Sequence, residues 1–330
     1  MVNGKNLFVS ASPHARSRKT TRSVMLDVII ALIPALIASG VLFGLRALVV
    51  TAVSVVSCVV FEWAFRKFIL KRSNTIGDLS AVITGILLAF NLPSGIPYWM
   101  VILGDLFAIV VVKQLFGGIG QNFVNPAIGG RIFMLLSFSS KMSEWTAPRA
   151  GFMNLGGVDA LSGATPLVSD DLPKLMDMFM GVRGGCLGET CILALILGGL
   201  YLLINKVISP AIPVSFIGTV AVISAIAMLV KHEGAEYIAY QLMSGGLFLG
   251  AIFMATDYTT SPISTKGKII FGIGCGLITC LIRLFGSLPE GVSYSIIIMN
   301  ILTPLIERVT TPKPFGTPKK EKAEKKEAQA

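Results

Sequence analysis

An all-α integral membrane protein of about ten transmembrane helices, arranged as two inverted five-helix repeats, is the fold this sequence predicts. Three observations predict it. Hydrophobic residues make up 53% of the 330 and charged residues only 14%, with mean hydropathy +0.76, which leaves too little charge to cover the surface of a soluble chain of this length. Apolar runs of about 20 residues recur, long enough as helices to cross a hydrocarbon core of roughly 30 Å. Lysine and arginine collect on alternate connections between those runs, as membrane orientation demands.

Taken in order, residues 1–23 form a basic N-terminal segment with Lys5, Arg16, Arg18, Lys19 and Arg22. The first apolar run begins near Val24, outlasts a signal-peptide core and has no small-residue cleavage site after it, so it reads as a retained helix. A first repeat over 24–139 holds spans at about 24–44, 47–68, 78–92, 98–115 and 126–139. A polar loop follows over 140–186, and a second repeat over 187–307 holds spans at about 187–205, 211–231, 238–256, 268–285 and 291–307. Residues 308–330 are a charged low-complexity tail that cannot build a core, fit for solubility or contact with anionic lipid.

Ten crossings put both termini on one side. Assigning that side as cytoplasmic places Arg66, Lys67, Lys71, Arg72, Lys113, Lys206, Lys266, Lys268 and Arg308 inside with the N-terminal cations, and leaves Arg46, Lys141, Arg149, Lys174, Arg183, Lys231 and Arg283 outside. The net charge of +10 thus reports topology, and a nucleic-acid partner is unnecessary. Five helices precede the 140–186 loop, so it emerges on the outer face. Five per half is an odd number, which turns the second half upside down relative to the first. Lys113-Gln114-Leu115-Phe116-Gly117-Gly118 and Arg283-Leu284-Phe285-Gly286-Ser287 leave corresponding spans on opposite faces. The third and eighth spans are both short and end in polar residues, at Asn91 and at Thr256-Asp257. Paired interrupted helices point to a site near the membrane midplane, and helices that merely end at the headgroups would read the same way.

Several chemistries are disfavoured. Cys186/Cys191 and Cys275/Cys280 are five apart, about 140° round a helix, so neither pair holds one metal well, and the set is completed by Cys58. Only His14 and His232 exist, on opposite sides, which excludes an internal bis-histidine haem and leaves no metal site to propose. No hydrolase constellation and no phosphate-cradling lysine motif is present. Redox chemistry would therefore come from a bound organic cofactor.

Charge inside the spans is the next signal. Asp27, Glu62, Asp105 and Arg131 fall within apolar runs, where an ionised Asp or Arg costs at least about 2.5–3.5 kcal/mol. Asp27 and Glu62 lie near enough to span ends to be wetted. Asp105 is mid-span, fit for an ion path or for pairing with Arg131; Asp105 and Asp27 are the ion-path candidates.

The loop holds Asp159-Ala160-Leu161-Ser162-Gly163-Ala164-Thr165-Pro166-Leu167. Thr165 ends a run of small residues that leaves its hydroxyl unshielded. Thr before Pro is also an ordinary helix start, with Thr165 as N-cap and Pro166 at the first helical position. The run from Asp159 through Ser162, Gly163 and Ala164 to Thr165 resembles the recognition sequence of bacterial flavin transferases, which esterify the threonine hydroxyl with the phosphate of FMN.

Up to about residue 308 the chain resembles the D subunits of Rnf complexes and, more distantly, the B subunits of sodium-translocating NADH:quinone reductases. The resemblance rests on Ser12-Pro13-His14, Met25-Leu26-Asp27-Val28, Ala31-Leu32-Ile33-Pro34-Ala35, Phe116-Gly117-Gly118-Ile119-Gly120-Gln121-Asn122, Asn125-Pro126-Ala127, Arg131-Ile132-Phe133 and Ala255-Thr256-Asp257. It implies a flavoprotein subunit of a translocase in the bacterial inner membrane, carrying FMN covalently at Thr165 and working with other Rnf subunits. Electrons would pass between ferredoxin and NAD while sodium or protons move, and a flavin transferase would mature the chain. It also implies a second, noncovalent flavin such as riboflavin, for which Gly118, Asn122 and Asn125 on the glycine-rich inner loop are the candidates; the same loop reads equally as a tight connector. Two other readings stay open: the quinone-reductase subunit, against which the short N-terminus speaks, and a channel or transporter on the same inverted repeat.

Overall fold

The structure, a computed structural model, describes residues 19–145, 174–232, 234, 236–286 and 291–312. Helix α1 (Thr21–Phe43) starts on a capping box. Thr20 Oγ1 accepts from the Ser23 N–H at 3.2 Å and Ser23 Oγ accepts from the Thr20 N–H at 3.0 Å, satisfying donors that a first turn leaves open. Gly44, at φ 78°, turns the chain straight into α2 (Leu45–Leu70). α3 (Ser80–Phe90) is short and mostly buried. α4 (Tyr98–Leu106) widens into a π-helical stretch over Phe107–Gln114, where Leu115 N–H donates to Val110 O at 3.0 Å. α5 (Pro126–Ser137) begins with Asn125 as N-cap and Pro126, which has no N–H to lose, in its first turn. The short helices α6 (Ser139–Met142) and α7 (Leu175–Met180) stand on either side of 146–173.

The second half follows as α8 (Ile192–Ile204), α9 (Ala211–Lys231), α10 (Glu236–Met243), α11 (Leu247–Met254), α12 (Thr265–Phe285) and α13 (Val292–Thr310). Among the described residues five helices are long and apolar enough to cross a membrane, and α10 with α11 makes a sixth if they count as one span bent by 57°. α3, α5 and α8 are apolar but shorter. The span expected at 238–256 is broken: Gly245 and Gly246 both sit at φ 66°, which a right-handed helix cannot contain.

Helices pair both across and within the two parts of the chain on either side of 146–173. α1 packs on α8 and α5 on α13 across the halves, while α2 packs on α4 and α9 on α12 within them. Small residues permit the closest approaches. A Cβ on Gly198 of α8 would collide with the Ala31 carbonyl of α1, and one on Gly85 of α3 would lie 2.7 Å from Val55 Cα and 2.9 Å from Ser54 O on α2. The main core runs through both halves, from Leu32 and Leu88 to Phe216, Phe253 and Phe271.

The two ends of the bundle are distinguished by their contacts. Lys19 Nζ donates to Asn205 O at 2.7 Å and Ser264 Oγ bonds Thr310 Oγ1 at 2.9 Å. The segment between α11 and α12 joins the two pairs, with Tyr258 OH donating to Val207 O and Thr303 Oγ1 to Thr260 O at 2.9 Å, so the start of α1, the ends of α8 and α13 and the start of α12 share one face. At the opposite end, Leu187 N–H donates to Leu92 O at 3.0 Å, Gly188 N–H to Phe90 O at 3.0 Å, and Met142 of α6 packs with Leu92, Ile96 and Leu187.

Candidate functional site

A cavity of about 710 Å³ lies between the halves, reached by Lys19, Thr20 and Thr21 at the face that carries the described chain ends. Val28, Ile83, Leu87 and Phe253 supply apolar walls, and Lys113, Asn122, Asn125 and Asp257 supply polar edges. Of the loop residues expected to hold a flavin, Asn122 and Asn125 line this cavity and Gly118 does not; Ile119 and Gly120 stand there instead. Gly117, Gly118 and Gly120 have φ of 120°, 96° and 88°, so the loop is also the tight connector it resembled. Asn125 joins the halves: Oδ1 accepts from Ala127 N–H at 3.0 Å to cap α5, and Nδ2 donates to Met254 O at 3.1 Å, where α11 ends. Asn122 Nδ2 donates to Val124 O at 3.0 Å.

One wall of the cavity is tied to a buried line of polar groups between α2 and α4. Lys113 Nζ lies 2.7 Å from Glu62 Oε2 and 2.6 Å from Ser80 Oγ, and Thr75 Oγ1 donates to Glu62 Oε1 at 2.7 Å. Glu62 and Lys113 are only 1% and 3% exposed, so Glu62 is paired inside the bundle and not wetted at a span end. Two turns further along α4, Asp105 is fully buried and turned toward α2. Its Oδ1 accepts from Ser54 Oγ at 2.7 Å and from Cys58 Sγ at 3.3 Å, and Ser57 Oγ bonds Oδ2. The pairing of Asp105 with Arg131 does not occur. Arg131 Nη1 donates to Asn91 Oδ1, because Asn91 closes α3 where α5 crosses it; Asn91 Nδ2 in turn donates to Leu87 O at 2.6 Å. Asp27, half-buried on α1, accepts from Tyr201 OH at 3.3 Å.

A second charged cluster clasps the break between α10 and α11. Arg283 donates to Gln241 O at 2.6 Å and Ser244 O at 2.9 Å, and Arg183 to Ser244 Oγ at 3.4 Å and Glu189 O at 3.3 Å. Burial lowers the Arg183 pKa while Glu189 works in the other direction. Glu189 Oε1 accepts from Cys186 N–H at 3.2 Å. Its Oε2 has no hydrogen-bond partner among the described residues and stands 2.5 Å from where a Cβ on Gly246 would be.

Thr165, with Asp159, Ser162, Gly163 and Ala164, lies outside the described residues. Sequence reasoning did not find Ser54, Ser57 and Cys58 as the partners of Asp105, nor the Glu62–Lys113 pair, nor Glu189 with its two arginines. A signal existed for the first two. Ser54, Cys58 and Glu62 are spaced four apart on α2, one face of a helix, and Asp105 and Lys113 are eight apart on the facing span.

Known proteins place the chain. The family model for the NQR2, RnfD, RnfE family matches residues 8–316. The chain is 47% identical to the D subunit of the Na(+)-translocating ferredoxin:NAD(+) oxidoreductase complex of Acetobacterium woodii, over 98% of this chain and 100% of that protein. It is 41% identical to the D subunit of the proton-translocating ferredoxin:NAD(+) oxidoreductase complex of Clostridium ljungdahlii, over 95% and 97%. With the D subunit of the ion-translocating oxidoreductase complex of Escherichia coli it shares 33% identity over 93% and 98%. A helical membrane bundle matched over nearly its whole length in this way belongs to the NQR2, RnfD, RnfE family.

Proposed function

We propose that this chain is the flavin-carrying membrane subunit of a complex that passes electrons between ferredoxin and NAD and moves sodium or protons as it does so. The observation that carries the reading is the cavity between the halves, taken with the names of the relatives that match end to end. A tricyclic redox ring needs flat apolar walls and polar groups at its edges, and ligand sites are commonly built so. Val28, Ile83, Leu87 and Phe253 fit the first need, and Asn122, Ser80 and Thr84 the second. Lys113, held in place by Glu62 and Ser80, presents its ammonium at the edge of the cavity, with its charge balanced by Glu62 at 2.7 Å.

A bound flavin supplies the one- and two-electron chemistry that no side chain here provides. The chain's own part is to position the ring, keep water from it and set the charge around it. FMN is attached as a phosphoester at Thr165, supported by the Asp159-to-Thr165 motif, on a segment whose flanks α6 and α7 meet the end of the bundle opposite the cavity mouth. A second, noncovalent flavin, riboflavin in chemistry, occupies the cavity. The partners are the other subunits of the complex and the transferase that loads Thr165. The protein sits in the bacterial inner membrane with both termini cytoplasmic, an orientation supported by Arg66, Lys67, Lys71, Arg72, Lys206, Lys266 and Lys268 near one face.

The test separates the two flavins. After denaturing electrophoresis of the purified complex, the subunit's flavin fluorescence should vanish in Thr165→Val, while the flavin that acid releases from the complex, which is the noncovalent fraction, stays unchanged. A fluorescent Thr165→Val band sinks the attachment site. Loss of the acid-released flavin as well would remove the independent second site, and a wild-type subunit with no flavin turns the reading toward a transporter on this fold.

A further inference from the structure

The Asp105 pocket is one positive charge short. Its carboxylate is fully buried in the span, and neither oxygen is paired with a Lys or Arg of the described residues. Three neutral groups face it, the hydroxyls of Ser54 and Ser57 and the thiol of Cys58, each with a single proton. Those protons are contested. Ser54 Oγ also stands 2.9 Å from Gly85 O, and Ser57 Oγ 3.0 Å from Ser54 O. If the hydroxyls donate to the carbonyls, the carboxylate oxygens face lone pairs. If they donate to the carboxylate, a whole negative charge stays uncompensated where water is scarce. One proton or one small cation resolves both cases. Carboxylate, hydroxyl and carbonyl oxygens are also what a hard monovalent ion takes as ligands.

The pocket is built by close packing. A Cβ on Gly85 would meet Ser54 O at 2.9 Å, so glycine there is what lets the α3 carbonyl reach the α2 serine. It is also wired to the cavity. Along α4 and its π stretch, Lys113 is eight residues beyond Asp105, and the turn between holds the buried Ile109 and, on α2, Cys58. The charged and titratable groups nearest it on the packed elements are Cys58 and Glu62 on α2, Lys113 on the π stretch and Arg131 on α5; Arg46, Arg66 and Lys67 stand at the two ends of α2 and Tyr98 at the start of α4. Lys113 is turned to Glu62, and Arg131 to Asn91.

We propose that Asp105, with Ser54, Ser57 and the Gly85 carbonyl, binds one monovalent cation, a proton or a dehydrated sodium ion, and that the Glu62–Lys113 pair links this site to the charge of whatever occupies the cavity. The role in transport rests on the ion-translocating reading above; the binding does not. An electron arriving in the cavity draws the Lys113 ammonium toward it and leaves Glu62 less compensated, which makes Glu62 the next station for the cation held at Asp105.

The experiment is infrared difference spectroscopy of the purified, detergent-solubilised complex, followed by ferredoxin-driven uptake in proteoliposomes. With Asp105 protonated, a carboxylic-acid C=O band should disappear on titration. Loss on adding sodium at constant pH identifies a sodium site, and loss only on raising pH identifies a proton site. The band should be missing in Asp105→Asn. Ser57→Ala keeps the carboxylate and removes one contact to it, so it should shift the sodium or pH midpoint at least about tenfold, the size expected for a hydrogen bond to a charged group; it also serves if Asp105→Asn fails to assemble. A band unaffected by sodium and pH, or unchanged in Asp105→Asn, or a Ser57→Ala midpoint equal to wild type, overturns the site. A band that titrates as described in a complex whose ferredoxin oxidation drives no uptake would instead leave the site standing and remove the translocating function.

Discussion

Two charged clusters, one beside the interrupted element of each half, carry opposite signs in excess. Between α2 and α4 stand two carboxylates, Asp105 and Glu62, and one ammonium, Lys113. At the α10–α11 break stand two guanidiniums, Arg183 and Arg283, and one carboxylate, Glu189. Both sit beside the interrupted third element of their half, yet the interruption is handled differently. α3 simply stops, and Asn91 takes up Arg131. The second element bends by 57° and continues, and Arg283 bonds the carbonyls that the bend leaves open. The acid-rich cluster lies toward the cavity and wants a cation. The base-rich cluster lies toward the flanks of 146–173 and holds a fixed backbone corner. Of the two interrupted elements, one thus serves an exchangeable charge and the other a structural one.

If that contrast is right, the minority charge in each cluster is the one that cannot be lost. Lys113→Met leaves Glu62, 1% exposed, with only Thr75 for a partner and costs about 3–5 kcal/mol, the usual result of orphaning a buried ion. The measurement is the thermal midpoint at which the subunit leaves the solubilised complex. The double variant Glu62→Gln with Lys113→Met should recover most of the loss. A tolerated Lys113→Met, with no gain in the double variant, would show that Glu62 is hydrated or protonated and that the first cluster has no acid excess.

Glu189→Gln is the matching change in the second half and should cost less, about 2 kcal/mol. Glutamine keeps an acceptor for the Cys186 N–H but leaves Arg183 and Arg283 without a counter-charge. The bend also loses definition, so limited proteolysis near Ser244 should quicken. Equal stability of Glu189→Gln and wild type would mean that the arginines are neutralised from elsewhere, and the two clusters would no longer be opposites.

The sequence announces the spans far better than what joins them. The predicted 98–115 and 211–231 agree with 98–114 and Ala211–Lys231, since twenty apolar residues in water-free surroundings have few options. The break at Ser244-Gly245-Gly246 is written in the residues, but hydropathy averaged over a whole span passes across it. Asp105 is legible as an oddity because a mid-span carboxylate is costly wherever it points. Its partners are not legible, because they depend on how α2 and α4 are rotated about their axes, and that is decided by contacts such as Gly85 on Ser54 which no single span records. For the same reason Arg131 looks, in the sequence, like its counter-ion. Both are buried charges of opposite sign in neighbouring spans, and only the position of Asn91 decides that they do not meet.

The smallest expected effect is the most discriminating, because it should change sign. Asp105 belongs to the majority charge of its cluster, so Asp105→Asn removes the excess and keeps a group that can hydrogen-bond Ser54 and Ser57. In sodium-free, alkaline buffer the wild-type subunit carries the bare carboxylate, and the variant should be as stable or more so, by up to about 1 kcal/mol. With a bound cation the balance reverses, since a ligand that binds only the folded state stabilises it, by about 2.7 kcal/mol at a hundredfold excess over its dissociation constant. Wild type should therefore gain on adding sodium, or on lowering pH if the cation is a proton, while Asp105→Asn stays flat and the two melting curves cross. Glu189→Gln, in the cluster that has no exchangeable ion, should lie below wild type by a constant interval under every one of those conditions. Parallel responses of the two variants would mean that the halves bury their charges for the same structural reason, and a crossing for Glu189→Gln would move the exchangeable site to the other half.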